Sequence, residues 1–581
     1  MKLIKGIMVS PGIAIGKAFL YKGRSSAVPA YPINPAQIPH ELTRFADALR
    51  DAVEELEQLR ARTHPQTGEM ERKFLESHIL MLRDPELRDN VQRELAEQKK
   101  NVEWVLQKVM AALTAKLDSS DDEYLRERSA DVQDVYSRIL GHLLKDRRES
   151  LACLEEDCIL VAHNLLPSDL IAMDKRRVLG LASDSGGKTS HVAILARSFA
   201  LPAVFGLSEF SSQVRSGDTV IVDGNRGLVI VQPDEATERQ YQASREAWLK
   251  HELQLLSLSE LRAETRDGKL IQLLSNIEVP EETESALAHG ADGVGLFRSE
   301  FLYILPKRFP GEEEQLQAYT RVLKEMNPRP VIIRTLDLGG EKAIPGMTMG
   351  EESNPILGWR AVRFCISRPE IFKTQLRALL RSSVHGNLKI MFPMISGLEE
   401  LEATLALLEE AKQELARRGQ PFLEDVPIGI MIEVPSAAFT SDILARRVSF
   451  FSIGTNDLIQ YLIAVDRENE RIAYLYEPFH PAVLRLLKIV IDNAHAGGIP
   501  VGMCGEMAAD PYAAVVLLGL GLDEFSMSSI AIPEIKRIIR SVTLDEAEDL
   551  AATVMEMKGF QEIDRHVRGW MEERFEFIGS Y

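Results

Sequence analysis

Beyond Asp267-Gly268 the chain repeats one pattern eight times: a short apolar run, then a helix-favouring stretch. The runs fall at 270–276, 293–298, 331–334, 388–392, 428–433, 450–453, 500–504 and 524–526. Eight β-α units over about 300 residues predict a TIM (β/α)8 barrel. Polar residues collect where the runs end: Asn276, Arg298, Arg334, Glu433, Asn456 with Asp457, and Cys504 with Glu506. In this fold the C-terminal strand ends and the loops after them build the active site. A chance pattern would scatter such residues along the strands.

The residue types at that mouth suggest an anion held with a cation. Arg298, Arg334 and Arg360 lie near strand ends or in the loops after them, and Arg467 follows Ile453-Gly454-Thr455-Asn456-Asp457. Guanidinium forks match phosphate and carboxylate oxygens. One surface arginine is usually only solvated, but four at one mouth are costly without an anionic ligand. Glu433 and Asp457 end neighbouring strands. Paired hard oxygens with open positions suit Mg2+, which keeps waters and completes its shell from an anionic substrate; ion pairs with the same arginines are the alternative. Cys504, in Gly502-Met503-Cys504-Gly505-Glu506, is placed to act as an acid or base toward carbon, or is a buried inert thiol. A phosphorylated carboxylate as ligand would explain both the arginines and the metal.

A second centre lies upstream, in Ser183-Asp184-Ser185-Gly186-Gly187-Lys188-Thr189-Ser190-His191. The paired glycines permit a tight turn. The segment after it, Val192 onward, reads as a helix that Thr189 or Ser190 caps. His191 then sits at a helix N-terminus, where free N–H groups and the dipole favour an anion. A neutral imidazole there is a good nucleophile for a phosphoryl group; an incidental histidine in a polar turn is the other reading. Short strands with glycine-rich turns surround this loop, predicting a small α/β domain. Residues 36–147 differ: helical apolar spacing runs through 41–62, 68–82, 85–98, 102–117 and 122–144. This is a helical bundle, either a docking module or a spacer. Residues 234–262 contain no glycine or proline and predict one helix about 40 Å long, a candidate arm between two bodies. The glycines at 6, 12 and 16 do not form a phosphate loop, because no GK[ST] follows.

The net charge of -19 argues against a nucleic-acid or anionic-membrane surface. Cys153, Cys158, Cys365 and Cys504 show neither zinc spacing nor a CxxC pair. A reducing cytosol is the simplest setting, and without an apolar run of about 18 residues the chain is expected to be soluble and cytoplasmic.

Several of these stretches resemble the phosphoenolpyruvate-utilising enzymes. Gly186-Gly187-Lys188-Thr189-Ser190-His191 with Ala196-Arg197-Ser198 is similar to that family's phosphohistidine signature. Asp292-Gly293-Val294-Gly295-Leu296-Phe297-Arg298-Ser299-Glu300, Phe451-Ser452-Ile453-Gly454-Thr455-Asn456-Asp457 and Gly502-Met503-Cys504-Gly505-Glu506 look like its barrel motifs. The resemblance spans essentially the whole chain, is nearest to the family's phosphotransferase-system branch, and includes Asp121-Asp122-Glu123-Tyr124-Leu125-Arg126 in the helical part.

It implies four segments: a phosphohistidine α/β domain from 1–21 and 148–233, a helical bundle at 22–147 that docks the phosphocarrier protein HPr, a linker helix at 234–262, and a phosphoenolpyruvate-binding barrel at 263–581 through which the family forms homodimers. It also implies roles. His191 carries the phosphoryl group. Arg298, Arg334, Arg360 and Arg467, with Asn456 and Asp457, hold the substrate. Glu433 and Asp457 hold Mg2+, and Cys504 protonates the departing enolate. Two positions depart from the family pattern. Lys188 stands where arginine is common, keeping charge without a planar fork. Leu170 replaces a threonine whose hydroxyl reaches the histidine in many relatives, so the imidazole needs another partner, such as Thr189.

The dikinases and synthases of the family also need a sizeable ATP-binding domain before the histidine, which 36–147 does not supply. A non-catalytic sensor would be expected to lack the histidine or the metal carboxylates. The resemblance begins directly at Met1-Lys2-Leu3, which favours sugar uptake over the nitrogen-regulatory branch.

Overall fold

The computed structural model describes residues 1–21, 28–62, 69–118, 123–144, 151, 154, 156–187, 191–199, 201–304, 309–339, 352, 354–467, 469 and 471–575. They form two compact units, divided between His251 and Glu252.

The first unit holds an eight-stranded mixed sheet. Its strands are β1 (Lys2–Lys5), β2 (Ile7–Ser10), β3 (Ile13–Tyr21), β4 (Cys158–Ala162), β5 (Val178–Ser183), β6 (Ala203–Phe205), β7 (Thr219–Asp223) and β8 (Leu228–Val231). The spatial order is β1-β8-β7-β3-β4-β5-β6-β2. Strands β3, β4, β5 and β6 run parallel, Tyr21 opposite Ala162 and Ala162 opposite Ser183. Alternate residues of each strand serve opposite faces. Leu160, Ala162, Leu181 and Phe205 pack against Leu170, Val192, Ala193 and Ala196 on one side. Ile159, Val161, Ala182 and Val204 face the other.

Between β3 and β4 the chain makes a helical excursion: Ile38–Arg62, Glu69–Leu82, Pro85–Gln98, Val102–Asp118 and Glu123–Leu144. These helices own a separate core, in which Phe45, Leu49, Ala52 and Leu56 line one face of the first helix at three- and four-residue spacing. Asp84 caps the third by accepting the Glu86 N–H at 2.9 Å.

A helix from Glu235 to Ser257 follows β8. It stops five residues short of the 262 expected from composition. The Ser257 hydroxyl donates to the Gln254 carbonyl at 2.6 Å. The next N–H bonds then reach only three residues back, Leu258 to Leu255 and Leu261 to Leu258. The last turn thus tightens and the helix ends without glycine or proline.

The second unit is the predicted barrel. Strands β9 (Gln272–Ile277), β10 (Gly293–Arg298), β11 (Pro330–Arg334), β12 (Asn387–Phe392), β13 (Ile428–Ile432), β14 (Phe450–Ile453), β15 (Val501–Met503) and β16 (Glu524–Met527) close in sequence order, all pairs parallel. The strand limits differ from the sequence reading by a residue or two; Leu270 stands outside β9, bridged to Glu264 and half exposed. Leu296, Ile332, Met391, Met431, Phe450 and Cys504 fill the interior. Their neighbours Phe297, Ile333, Ile390, Ile430, Phe451 and Met503 face the surrounding helices. The lumen is narrow: a Cβ on Gly295 would lie 2.3 Å from Ser526 Oγ. No helix among the described residues is long and apolar enough to cross a membrane.

Candidate functional site

Period-two alternation decides what reaches the barrel mouth. Ile332 and Met431 point inward, so two residues on, Arg334 and Glu433 also face the lumen at its C-terminal end. Cys504 lies just past β15, buried, its N–H donating to the Ile453 carbonyl at 3.0 Å. Asn276 on β9 donates to the Cys504 carbonyl at 3.1 Å and accepts from Ser526 Oγ at 2.6 Å.

The arginines fall into two groups. Arg334 and Arg360 are buried and share a carboxylate that the sequence reading passed over. Asp337 accepts from Arg360 Nε at 3.2 Å and Nη2 at 3.1 Å, and its Oδ2 forms an ion pair with Arg334 Nη2 at 3.2 Å. Arg334 Nη2 also donates to buried Glu300, and its Nη1 lies 3.8 Å from Met431 Sδ. Arg360 Nη2 reaches Asp457 Oδ2 at 3.3 Å, and its Nη1 reaches the Tyr461 hydroxyl at 3.4 Å. Arg298 and Arg467 are more open. Arg298 pairs with Glu278 at 2.7 Å; Arg467 lies 3.8 Å from Glu506 Oε1. Asn456 joins this second group: its Nδ2 donates to Glu506 Oε1 at 3.1 Å, and its Oδ1 accepts the Glu506 N–H at 2.8 Å. Asp457 sits in the first turn of the helix Thr455–Ile463 rather than on β14 itself.

Burial disfavours the guanidinium charge of Arg334 and Arg360, yet the carboxylates around them outweigh it and hold both well above the ordinary arginine range. Glu433 behaves oppositely. It is 1 % exposed. Burial first, then the charges of Asp457 and Asp337, push its carboxyl up to about 8, with Arg334 and Arg360 opposing. Burial likewise raises the Cys504 thiol, which keeps its proton at neutral pH. Burial also pushes the Tyr461 phenol up to about 12. Tyr461 donates to the Ile356 carbonyl at 2.9 Å and borders a cavity of about 610 Å³ that Met394, Val434 and Gln460 also line.

Glu300, Asp337, Glu433 and Asp457 set four carboxylates against the two guanidiniums of Arg334 and Arg360. With all four ionised the excess is two negative charges, which a divalent cation would offset; without one, Glu433 is pushed toward protonation. Among the described residues no group of three or more metal-type side chains forms a ready cage.

His191 belongs to the first unit, where it is the first residue of the helix His191–Ser198. Gly186 ahead of it has φ +109°, open to glycine but strained for other residues. The caps Thr189 and Ser190, and Lys188, lie outside the described residues. Leu170 is wholly buried among Leu181, Val192 and Ala193, so the position is an apolar support for that helix.

Of the site residues expected from sequence, Arg334, Arg360, Glu433, Asp457 and Cys504 meet in one electrostatic cluster at the barrel mouth, with Arg298 acting on the Cys504 thiol. Asn456 and Arg467 meet at Glu506. The residues missed were Asp337, Glu300 and Tyr461. A spacing of three from Arg334 was the available signal for Asp337.

Comparison with known proteins matches three family models in order: "PEP-utilising enzyme, N-terminal" over 5–128, "PEP-utilising enzyme, mobile domain" over 154–227, and "PEP-utilising enzyme, PEP-binding domain" over 253–544. Two curated relatives carry the name phosphoenolpyruvate-protein phosphotransferase. The one from Bacillus sp. (strain S) is 42% identical over 567 residues, 98% of each chain. The one from Bacillus subtilis (strain 168) is 41% identical over 568 residues, 98% of this chain and 99% of its own. A solved solution structure of "Enzyme I (nEIt)" shares 40% identity and covers 42% of this chain and 99% of its own, with a TM-score of 0.38. The histidine loop falls in the mobile-domain match and the arginine–carboxylate mouth in the PEP-binding match, and with relatives above 40% identity along nearly its whole length this chain belongs to the PEP-utilising enzyme family.

Proposed function

We propose that this protein moves the phosphoryl group of phosphoenolpyruvate onto His191 and from there to the phosphocarrier protein HPr, releasing pyruvate in the first step of the sugar phosphotransferase system. The observation that carries this reading is the near-full-length identity to phosphoenolpyruvate-protein phosphotransferases, supported by an anion-and-cation mouth on the barrel. Arg298, Arg334, Arg360 and Arg467, with Asn456, grip the phosphate and carboxylate oxygens. Glu433 and Asp457 hold Mg2+, which when bound offsets charge on the phosphoryl oxygens. An imidazole nitrogen of His191 forms the N–P bond as the bridging P–O bond breaks, and the leaving enolate takes a proton at its methylene carbon. The protonated, buried thiol of Cys504 supplies that proton. The helical bundle docks HPr, and two copies pair through their barrels.

Incubation with labelled phosphoenolpyruvate, Mg2+ and HPr tests this. The chain should take up one acid-labile, base-stable phosphoryl group and pass it to HPr, while His191→Ala takes up none. Equal labelling of His191→Ala would overturn the assignment.

A further inference from the structure

The loop after β11 is built to aim one side chain. Arg334 ends the strand, and Thr335-Leu336-Asp337-Leu338-Gly339 comes next. Leu336 and Leu338 are 1 % and 0 % exposed, and the Leu336 N–H donates to Gln375 Oε1 at 2.9 Å. The other end is zipped to the segment that carries Arg360: Ala361 N–H donates to the Leu338 carbonyl at 2.9 Å, and Gly339 bridges Arg360. Gly339 has φ +100°, and a Cβ there would lie 2.2 Å from the Trp359 carbonyl. The backbone therefore leaves Asp337, 1 % exposed, between two guanidiniums.

Asp337 forms ion pairs with both of them. Its Oδ2 takes Nη2 of Arg334 at 3.2 Å and Nη2 of Arg360 at 3.1 Å, while Oδ1 takes Arg360 Nε. Two arginines this close repel, and each has several rotatable bonds. A buried shared anion removes the repulsion and fixes both planes in one orientation. We infer that Asp337 is a positioning residue: it acts through Arg334 and Arg360, setting the separation and tilt of the two buried forks that receive the anionic substrate. This rests on the reading of these arginines as the substrate's anion site. Glu300 pairs with Arg334 and Asp457 with Arg360; each anchors its own guanidinium, while Asp337 ties the two together.

The test uses the full chain, with phosphoenolpyruvate-dependent labelling of the unaltered protein as control. Absence of label in that control refutes the proposed function itself, whereas the Asp337 variants address the positioning role. Asp337→Asn keeps size and one acceptor oxygen but sets an NH2 donor against guanidinium donors. Its KM for phosphoenolpyruvate should rise at least tenfold with kcat within about threefold, because the forks bind ground and transition states alike. Asp337→Glu, which keeps the charge but shifts it by one methylene, should raise KM by a smaller factor, at least threefold. Asp337→Asn combined with Arg360→Ala should cost less than the product of the single changes. A KM within twofold of the unaltered protein in either single variant overturns the inference, as does a fall in kcat at unchanged KM or a fully multiplicative double variant. If Asp337→Asn shows no melting transition, the KM of Asp337→Glu decides by the same limits.

Discussion

Cys504 shows how little separates an inert thiol from a useful one. It closes the apolar column of the barrel interior, beside Leu296, Met431 and Phe450. Burial raises its pKa, and Arg334 and Arg298 pull in the other direction without cancelling that rise. A thiol so placed is a poor nucleophile, but it holds its proton at neutral pH, as a general acid must. Cys504→Ala should therefore slow pyruvate formation in single turnover by about a hundredfold or more, the range of a lost general acid, and leave KM for phosphoenolpyruvate within about threefold. The direction of the shift sets the sign of the pH effect. A raised thiol pKa keeps the acid form present as pH climbs past the ordinary cysteine value, so the rate should not fall between pH 7 and about 9 on account of Cys504. A rate that fell with an apparent pKa near 8, and lost that fall in Cys504→Ala, would contradict the assigned environment.

At the scale of elements, the helix Ile532–Ser541 carries a test of how the barrel is closed. Ile532, Ile535, Ile538 and Ile539 bury its apolar face, and within the same face sits Lys536, 1 % exposed. Its Nζ donates to the carbonyls of Ser259 and Gly290, both at 3.0 Å. Burial lowers its pKa, with Asp292 opposing. The folded state therefore favours neutral lysine more than the unfolded chain does. The cost of the buried charge is complete below the folded pKa, and it is relieved as pH rises from that value toward the unfolded value of about 10.4. Lys536→Met should destabilise the second unit by about 1–3 kcal/mol at pH 7, since two buried carbonyls lose their lysine donor. The gap between the two proteins in urea denaturation should widen from pH 7 toward pH 10.

Elements of this kind were the most legible part of the chain. Eight strands buried on both faces leave eight apolar runs, and their C-terminal polar residues mark the mouth without any structure. What stayed hidden was pairing. Asp337 reads as a turn residue in Leu-Asp-Leu-Gly-Gly, and nothing in the letters says that Trp359-Arg360-Ala361 folds back onto it. Glu300 likewise stands in a barrel-like motif with no role of its own in the letters, and only the fold shows that it pairs with Arg334. The three-residue strand β6 and the early end of the helix at Ser257 escaped for a local reason: each is decided by a few hydrogen bonds rather than by a run of hydrophobicity.

The whole molecule divides its chemistry along the same line as its packing. The first unit contains the helix that begins at His191, the mixed sheet and the helical bundle, each with cores of its own. The second contains the barrel, its interior column and the arginine–carboxylate mouth. The described residues of the mouth lie in the second unit, and each described core cluster lies within a single unit. A chain built from separately cored bodies should yield fragments that fold alone. The fragment 1–251 retains His191 and the bundle but has none of the groups assigned to phosphoenolpyruvate. It should accept a phosphoryl group from phosphorylated HPr, because that transfer needs an imidazole and a docking surface only. It should take no label from phosphoenolpyruvate and Mg2+, even at concentrations that saturate the full chain. The fragment 252–581 should bind phosphoenolpyruvate in a Mg2+-dependent manner, read by calorimetry, and should acquire no phosphoryl group. Labelling of 1–251 by phosphoenolpyruvate at the rate of the intact protein would place the substrate site in the first unit and remove the barrel mouth from the reaction. Failure of 1–251 to exchange with phosphorylated HPr, with its helical circular dichroism intact, would instead move the acceptor's docking surface out of the bundle.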